Sequence, residues 1–121
     1  MSQHNRILGK IGEDIALATA IKKGYQLVDR NVRTAAGEID LILEQTGTLI
    51  FTEVKTRSGE RFGYPEEAIT PAKLRRMILS AEYYLRQNKQ AVPWRIDVVA
   101  IIMGQDGRHA ADLQWMENVT A

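Results

Sequence analysis

The chain reads as an α/β domain in which a mixed central β-sheet is flanked by helices, in the order α-β-β-β-α-β-β. Three observations predict it. An amphipathic run opens the chain and stops at Gly24. Two strand-patterned runs, residues 38–43 and 49–55, are joined by one short turn. A second helical run then leads into the almost continuously apolar residues 94–103.

Residues 6–23 carry Ile7, Ile11, Ile15 and Ala18 at helical spacing among good helix formers, and Gly24 is a fitting stop. To one side of that stripe lie Gly9, Gly12, Glu13, Ala16 and Ala20, small residues interrupted by one carboxylate. A glycine inside a helix costs about 1 kcal/mol relative to alanine, so this stripe predicts close approach of another backbone. Glu13 then points at the sheet, whereas Asp14 reads as a first-turn acid favoured by the helix dipole. Residues 25–32 form the first strand.

The two runs that follow carry the chemistry. Glu38-Ile39-Asp40-Leu41-Ile42-Leu43 and Leu49-Ile50-Phe51-Thr52-Glu53-Val54-Lys55 flank Gln45-Thr46-Gly47-Thr48. A two-residue turn at Thr46-Gly47 sets Asp40 opposite Glu53, Glu38 opposite Lys55 and Ile42 opposite Phe51. Strand alternation puts Ile39, Leu41 and Leu43 with Val54, Thr52 and Ile50 on the other face. Opposed side chains lie about 5 Å apart at Cβ, where like charges repel. A hard divalent cation would neutralise Asp40 and Glu53, since Mg²⁺ is held by one or two carboxylates with water and phosphate completing its shell. Lys55, on the same face, could polarise a water or steady a phosphate oxygen. The competing reading is a solvated face in which Glu38 and Lys55 form a plain ion pair.

Beyond this hairpin, positive charge gathers: Lys55, Arg57, Arg61, Lys73, Arg75 and Arg76 stand against Glu60, Glu66 and Glu67. The Gly- and Pro-punctuated residues 56–65 interleave Phe62 and Tyr64 with arginines, a loop able to follow a phosphate backbone and stack on a base, or to fold its aromatics onto the core. Thr70-Pro71 starts the second helix, whose apolar stripe is Leu74, Met77, Ile78, Ala81 and Leu85. Lys73 and Arg76 lie in its first turns, where free backbone donors also favour phosphate. Residues 94–103 suit a strand covered on both faces and parallel to the Glu53 strand. Arg95 and Asp97 near its start read as structural. A last edge strand lies near residues 113–116, with Trp115 inward.

At 121 residues the chain reads as one domain spanning residues 1–121. A net charge of +1 is too small to specify a partner. The absence of cysteine excludes thiol catalysis, disulfides and a cysteine zinc site. His4 and His109 have no partners at ligand spacing and read as surface residues, which leaves Ser/His/Asp chemistry without a basis. Gly9-x-x-Gly12 inside a helix is not a phosphate loop. With no membrane-spanning apolar segment and no signal-like start, the expectation is a soluble cytoplasmic protein.

Taken together, Gly9-x-x-Gly12-Glu13-Asp14-x-Ala16, Asn31-x-Arg33, Gly37-Glu38-Ile39-Asp40-Leu41-Ile42, Phe51-x-Glu53-Val54-Lys55-x-Arg57 and Arg95-x-Asp97-Val98-Val99 resemble the YraN family of small bacterial proteins. The resemblance runs from about Gly9 to Ile102. It implies a restriction-endonuclease-like fold of the PD-(D/E)xK superfamily, similar in build to archaeal Holliday junction resolvases. By position, Asp40, Glu53 and Lys55 match that superfamily's catalytic Asp, Glu and Lys, and Glu13 matches the extra glutamate of resolvase-like members. Ile39 stands where the superfamily's proline stands, a position without chemistry. The expected activity is a Mg²⁺- or Mn²⁺-dependent endodeoxyribonuclease acting on DNA, with branched structures as candidate substrates. Asp40, Glu53 and Glu13 would hold the metal, Arg57, Arg61, Lys73 and Arg76 would contact nucleic acid, and a homodimer would serve two-strand cutting. The alternative is a non-catalytic nucleic-acid-binding or adaptor protein that keeps the fold.

Overall fold

The structure, a computed structural model, describes residues 3–59 and 69–120, with the side chains of residues 3–5 left aside. Its elements are α1 (Gln3–Lys22), β1 (Gln26–Thr34), β2 (Gly37–Gln45), β3 (Thr48–Ser58), α2 (Pro71–Gln87), β4 (Trp94–Met103) and β5 (Ala110–Met116). The strands form one sheet in the order β1-β2-β3-β4-β5. Only the β3–β4 pairing is parallel, the crossover between them containing α2. This is the expected α/β order. No helix among the described residues is long and apolar enough to cross a membrane.

Local chemistry explains the boundaries. Gly24 takes a positive φ of 88° just past α1, where an L side chain would be strained. Thr46 and Gly47 both have positive φ, 51° and 81°, as a two-residue type I′ hairpin turn requires. That turn fixes the register Leu41↔Thr52, Ile42↔Phe51 and Leu43↔Ile50. Thr70 caps α2, its hydroxyl accepting from the Lys73 N–H at 3.1 Å, with Pro71 at the first position.

Each helix covers one side of the sheet. On the α1 side, Ala16, Ala20, Tyr25, Leu41, Leu43, Ile50, Val99, Ile101 and Met103 form one buried cluster. On the α2 side, Ile39, Ile42, Leu49, Phe51, Ala81 and Ile96 form the other. The stripe of α1 that meets the sheet most closely is therefore the small-residue one. Of the stripe read from spacing, Ile11 and Ile15 pack against this cluster, whereas Ile7 is half exposed and Ala18 exposed; Ala16 and Ala20 have no exposed surface. The reason is Gly12: a Cβ there would collide with the side chain of Thr56 on β3. Thr56 Cβ itself would lie 2.9 Å away, and turning χ1 does not move that atom. Gly12→Ala should therefore lower stability by about 1–3 kcal/mol. Gly9→Ala, whose Cβ would meet nothing within 4 Å, should be neutral or stabilising by up to about 1 kcal/mol. Urea midpoints of the two variants, compared side by side, check this; equal shifts would sink it.

Candidate active site

The β2–β3 ladder stops at Leu41↔Thr52. Beyond it β3 stays paired with β4 all the way to Ser58, while β2 stays paired with β1 down to Gly37. The two strands thus part where the sequence placed its acids. Asp40 and Glu53 are not a ladder pair, nor are Glu38 and Lys55, which corrects the register read from the turn. The opening is bridged by a side chain instead: Asp40 Oδ2 accepts the backbone N–H of Val54 at 2.8 Å. Alternation also breaks here. Ile39 joins Ile42 and Phe51 on the α2 side rather than Leu41 on the α1 side. Opposite this break, between the pairs Arg30↔Leu41 and Val32↔Ile39, stands Asn31 with a positive φ of 52°.

Asp40 is mostly buried, and its carboxyl is pushed up to about 8. Burial is the largest cause, followed by the negative charge of Glu53. The Val54 N–H opposes them, and Glu13 and Glu38 add smaller repulsions. Glu53 is compensated from two sides, its Oε1 lying 3.3 Å from Lys55 Nζ and 3.6 Å from Lys73 Nζ. Lys73 reaches Glu53 because the crossover lays the first turn of α2 beside β3. Read in sequence as a phosphate contact, it also closes an ion pair with the candidate acid. Arg76, one turn on, lines with Lys73, Glu38, Glu53 and Ser80 a groove of about 90 Å³ beside the β1–β2 turn.

Glu13 reaches the same region from α1. Its Oε1 accepts from Asn31 Nδ2 at 3.0 Å and lies 3.8 Å from the Arg30 guanidinium, which is anchored at 2.8 Å to Asp14. Because α1 starts at Gln3, Asp14 stands in mid-helix and not in the first turn expected from sequence; its partner is Arg30 rather than the helix dipole. Sequence does not mark Arg30 as a site residue, and it touches Asn31 only through the Asn31-x-Arg33 motif and through its being an Asn, tolerant of positive φ, inside a strand-patterned run. Glu38 stands across from Arg33 in the register, with 3.8 Å between their charged groups. Arg57 turns back on its own strand, donating to the Thr56 carbonyl at 3.1 Å. Arg61, Phe62 and Tyr64 lie outside the described residues. His109 is exposed and hydrogen-bonds Asp106 at 2.6 Å, both far along the sequence from these acids.

Among the described residues no three carboxylate, imidazole or thiolate groups stand close enough to share a metal ion. The donor chemistry nonetheless fits Mg²⁺ or Mn²⁺, which takes one or two carboxylates and fills the rest of its shell from water and phosphate. Asp40 is the fitting observation: a mostly buried carboxyl repelled by three acids that has no ion-pair partner among the described residues, Lys55 and Lys73 lying on Glu53.

The sequence model described as Uncharacterised protein family UPF0102 matches residues 12–101. The chain belongs to the UPF0102 family. This is the YraN family that the motifs resemble. Among UPF0102 relatives, a protein of Symbiobacterium thermophilum is 47% identical over 105 residues, covering 86% of this chain and 89% of its own. One of Chloroherpeton thalassium is 43% identical over 107 residues, 88% of this chain and 83% of its own. A third, from Cupriavidus necator, is 41% identical over 117 residues, 96% and 84%. The UPF0102 match begins at Gly12, the glycine on which α1 meets β3, and contains Glu13, Asp40, Glu53 and Lys55.

Proposed function

We propose that this protein is a metal-dependent endonuclease that hydrolyses phosphodiester bonds in DNA, with branched DNA as the first substrate class to test. The observation that carries the reading is the parting of β2 from β3, where Asp40 bonds to the backbone of the strand bearing Glu53 and Lys55. Asp40 and Glu53, with Glu13 assisting, would hold Mg²⁺ or Mn²⁺. When bound, such an ion neutralises charge on the scissile phosphate and makes a coordinated water more acidic. The Val54 N–H orients the Asp40 carboxylate. Lys55, fixed beside Glu53, sets a positive charge where the phosphorane oxygens develop negative charge. Lys73, Arg76, Arg57 and Arg61 contact flanking phosphates, which position the substrate without reading its sequence. Symmetric cutting of two strands calls for a twofold dimer.

One observation favours a second reading, nucleic-acid binding without cleavage: the missing third metal ligand among the described residues. The deciding experiment incubates purified protein with labelled four-way junctions, flaps, single strands and linear duplexes in Mg²⁺, Mn²⁺ or EDTA, beside Asp40→Asn. Metal-dependent cutting that disappears in the variant is expected. Retention of DNA with no cutting of any substrate would move the assignment to the binding reading.

A further inference from the structure

Glu53 faces more positive charge than one carboxylate needs. Its Oε1 lies 3.3 Å from Lys55 Nζ and 3.6 Å from Lys73 Nζ, and all three side chains are largely buried. Neither ammonium makes a hydrogen bond among the described residues, so the N–H donors of both are unspent. A half-closed site with that many open donors calls for a ligand rich in acceptor oxygens.

The two lysines are not equivalent. Lys55 stands on the same strand as Glu53, two residues on. Lys73 arrives from the first turn of α2, where its backbone N–H is anchored by the Thr70 hydroxyl at 3.1 Å, while its four-carbon stem can swing from that root. Its contact with Glu53 is the longer one and its side chain the more exposed, 24% against 16%. Of the two, only Lys73 lines the groove of about 90 Å³ that it shares with Arg76, room for about three waters or for the oxygens of a phosphate. Arg76 has no hydrogen-bond or ion-pair partner among the described residues. Lys73 thus has a second destination one turn along its own helix. With Glu53 on a divalent ion, Lys73 loses the charge it faces and is repelled by the ion. We propose that Lys73 is a metal-released phosphate contact: it exchanges Glu53 for a DNA backbone phosphate beside Arg76 when Mg²⁺ or Mn²⁺ binds Glu53. Metal and DNA then bind with positive coupling. The inference rests on the nuclease reading above and, within the metal site, on Glu53 alone.

The exchange is read from two affinities in wild type, Lys73→Gln and Arg76→Gln. The last removes the same charge one turn away and serves as the control. Mn²⁺ binding without DNA is followed by electron paramagnetic resonance. Binding of a labelled four-way junction is followed by fluorescence anisotropy in Mn²⁺ and in EDTA, over a time too short for cutting, and thermal unfolding confirms that each variant is folded. Lys73→Gln should tighten Mn²⁺ binding about two- to fivefold, the worth of one ion pair on Glu53. It should weaken junction binding about tenfold in Mn²⁺ and less than about twofold in EDTA. Arg76→Gln should weaken junction binding equally in both and leave Mn²⁺ binding nearly unchanged. An equal loss of junction affinity in Mn²⁺ and EDTA for Lys73→Gln makes Lys73 a plain phosphate contact and overturns the exchange. Mn²⁺ binding that is unchanged or weaker in folded Lys73→Gln overturns it too, and either result leaves the nuclease reading standing. A wild-type protein that binds no Mn²⁺ with or without junction DNA overturns both.

Discussion

In EDTA, Asp40→Asn should be more stable than wild type at about pH 8 and no more stable at about pH 4, although it removes the residue the proposed chemistry needs most. Asp40 is pushed up to about 8 by burial and by the charge of Glu53, whereas a carboxyl in an unfolded chain titrates near 3.9. Between these values the folded protein binds more protons than the unfolded one, so its stability falls as pH rises through that window. Below it both states are protonated and no stability is lost; above it the loss is complete. Asparagine has no proton to lose and can still accept the Val54 N–H through its side-chain oxygen. The variant should therefore lack this slope, with a gain on the order of a few kcal/mol at the alkaline end. Urea unfolding across that range in EDTA measures it, and parallel pH slopes for the two proteins would refute it. Adding Mg²⁺ should stabilise wild type at the alkaline end and leave Asp40→Asn nearly unmoved, because a ligand that binds only the folded state stabilises in proportion to its affinity. An acid that costs stability when its cation is withheld is the behaviour of a site residue, not of a support.

The hairpin shows how much of this was legible in sequence. Thr46-Gly47 announced its turn, and the turn fixed the register correctly from Gln45↔Thr48 to Leu41↔Thr52. Where the ladder ends was not legible, because β4 decides it: parallel pairing along the whole of β3 carries that strand away from β2 just past Thr52. The same tertiary effect, with the positive φ of Asn31, moved Ile39 to the α2 side against its alternation. The acids were recognisable as residue types at suggestive spacing. Their geometry was not, since Asp40 meets Val54 rather than Glu53, and Lys73 comes from an element remote in sequence. On α1, hydrophobicity pointed to the isoleucines, whereas packing distance is set by the smallest residue in contact, Gly12 against Thr56. Composition says which face is apolar; it does not say how near the backbones come.

The largest stability loss should come from Asp97, which lies outside the proposed chemistry. Its side chain has no exposed surface and accepts four hydrogen bonds: Oδ1 from Arg95 Nε at 3.0 Å and the Asn118 N–H at 2.9 Å, Oδ2 from Arg95 Nη2 at 3.3 Å and Trp115 Nε1 at 2.9 Å. Arg95 in turn donates to the Tyr25 hydroxyl, which donates to Glu117. One carboxylate therefore ties β4 to β5 and to the segment after it, where the Val119 N–H bonds the Ile96 carbonyl. Removing one partner of a buried ion pair costs about 3–5 kcal/mol, because the other charge is left unpaired. Arg95 retains some exposure and can recruit water, which places Asp97→Ala toward the lower end. Asp97→Asn should recover only part of the loss, since its NH₂ must face either the guanidinium or the Trp115 and Asn118 donors. Urea midpoints give the cost, and Mn²⁺ affinity of the folded variants below their transition gives the role. A large fall in stability with unchanged affinity is expected. Lost affinity in a folded Asp97→Asn protein would instead make Asp97 part of the metal site, reaching it through Thr52, its partner across the β3–β4 pairing.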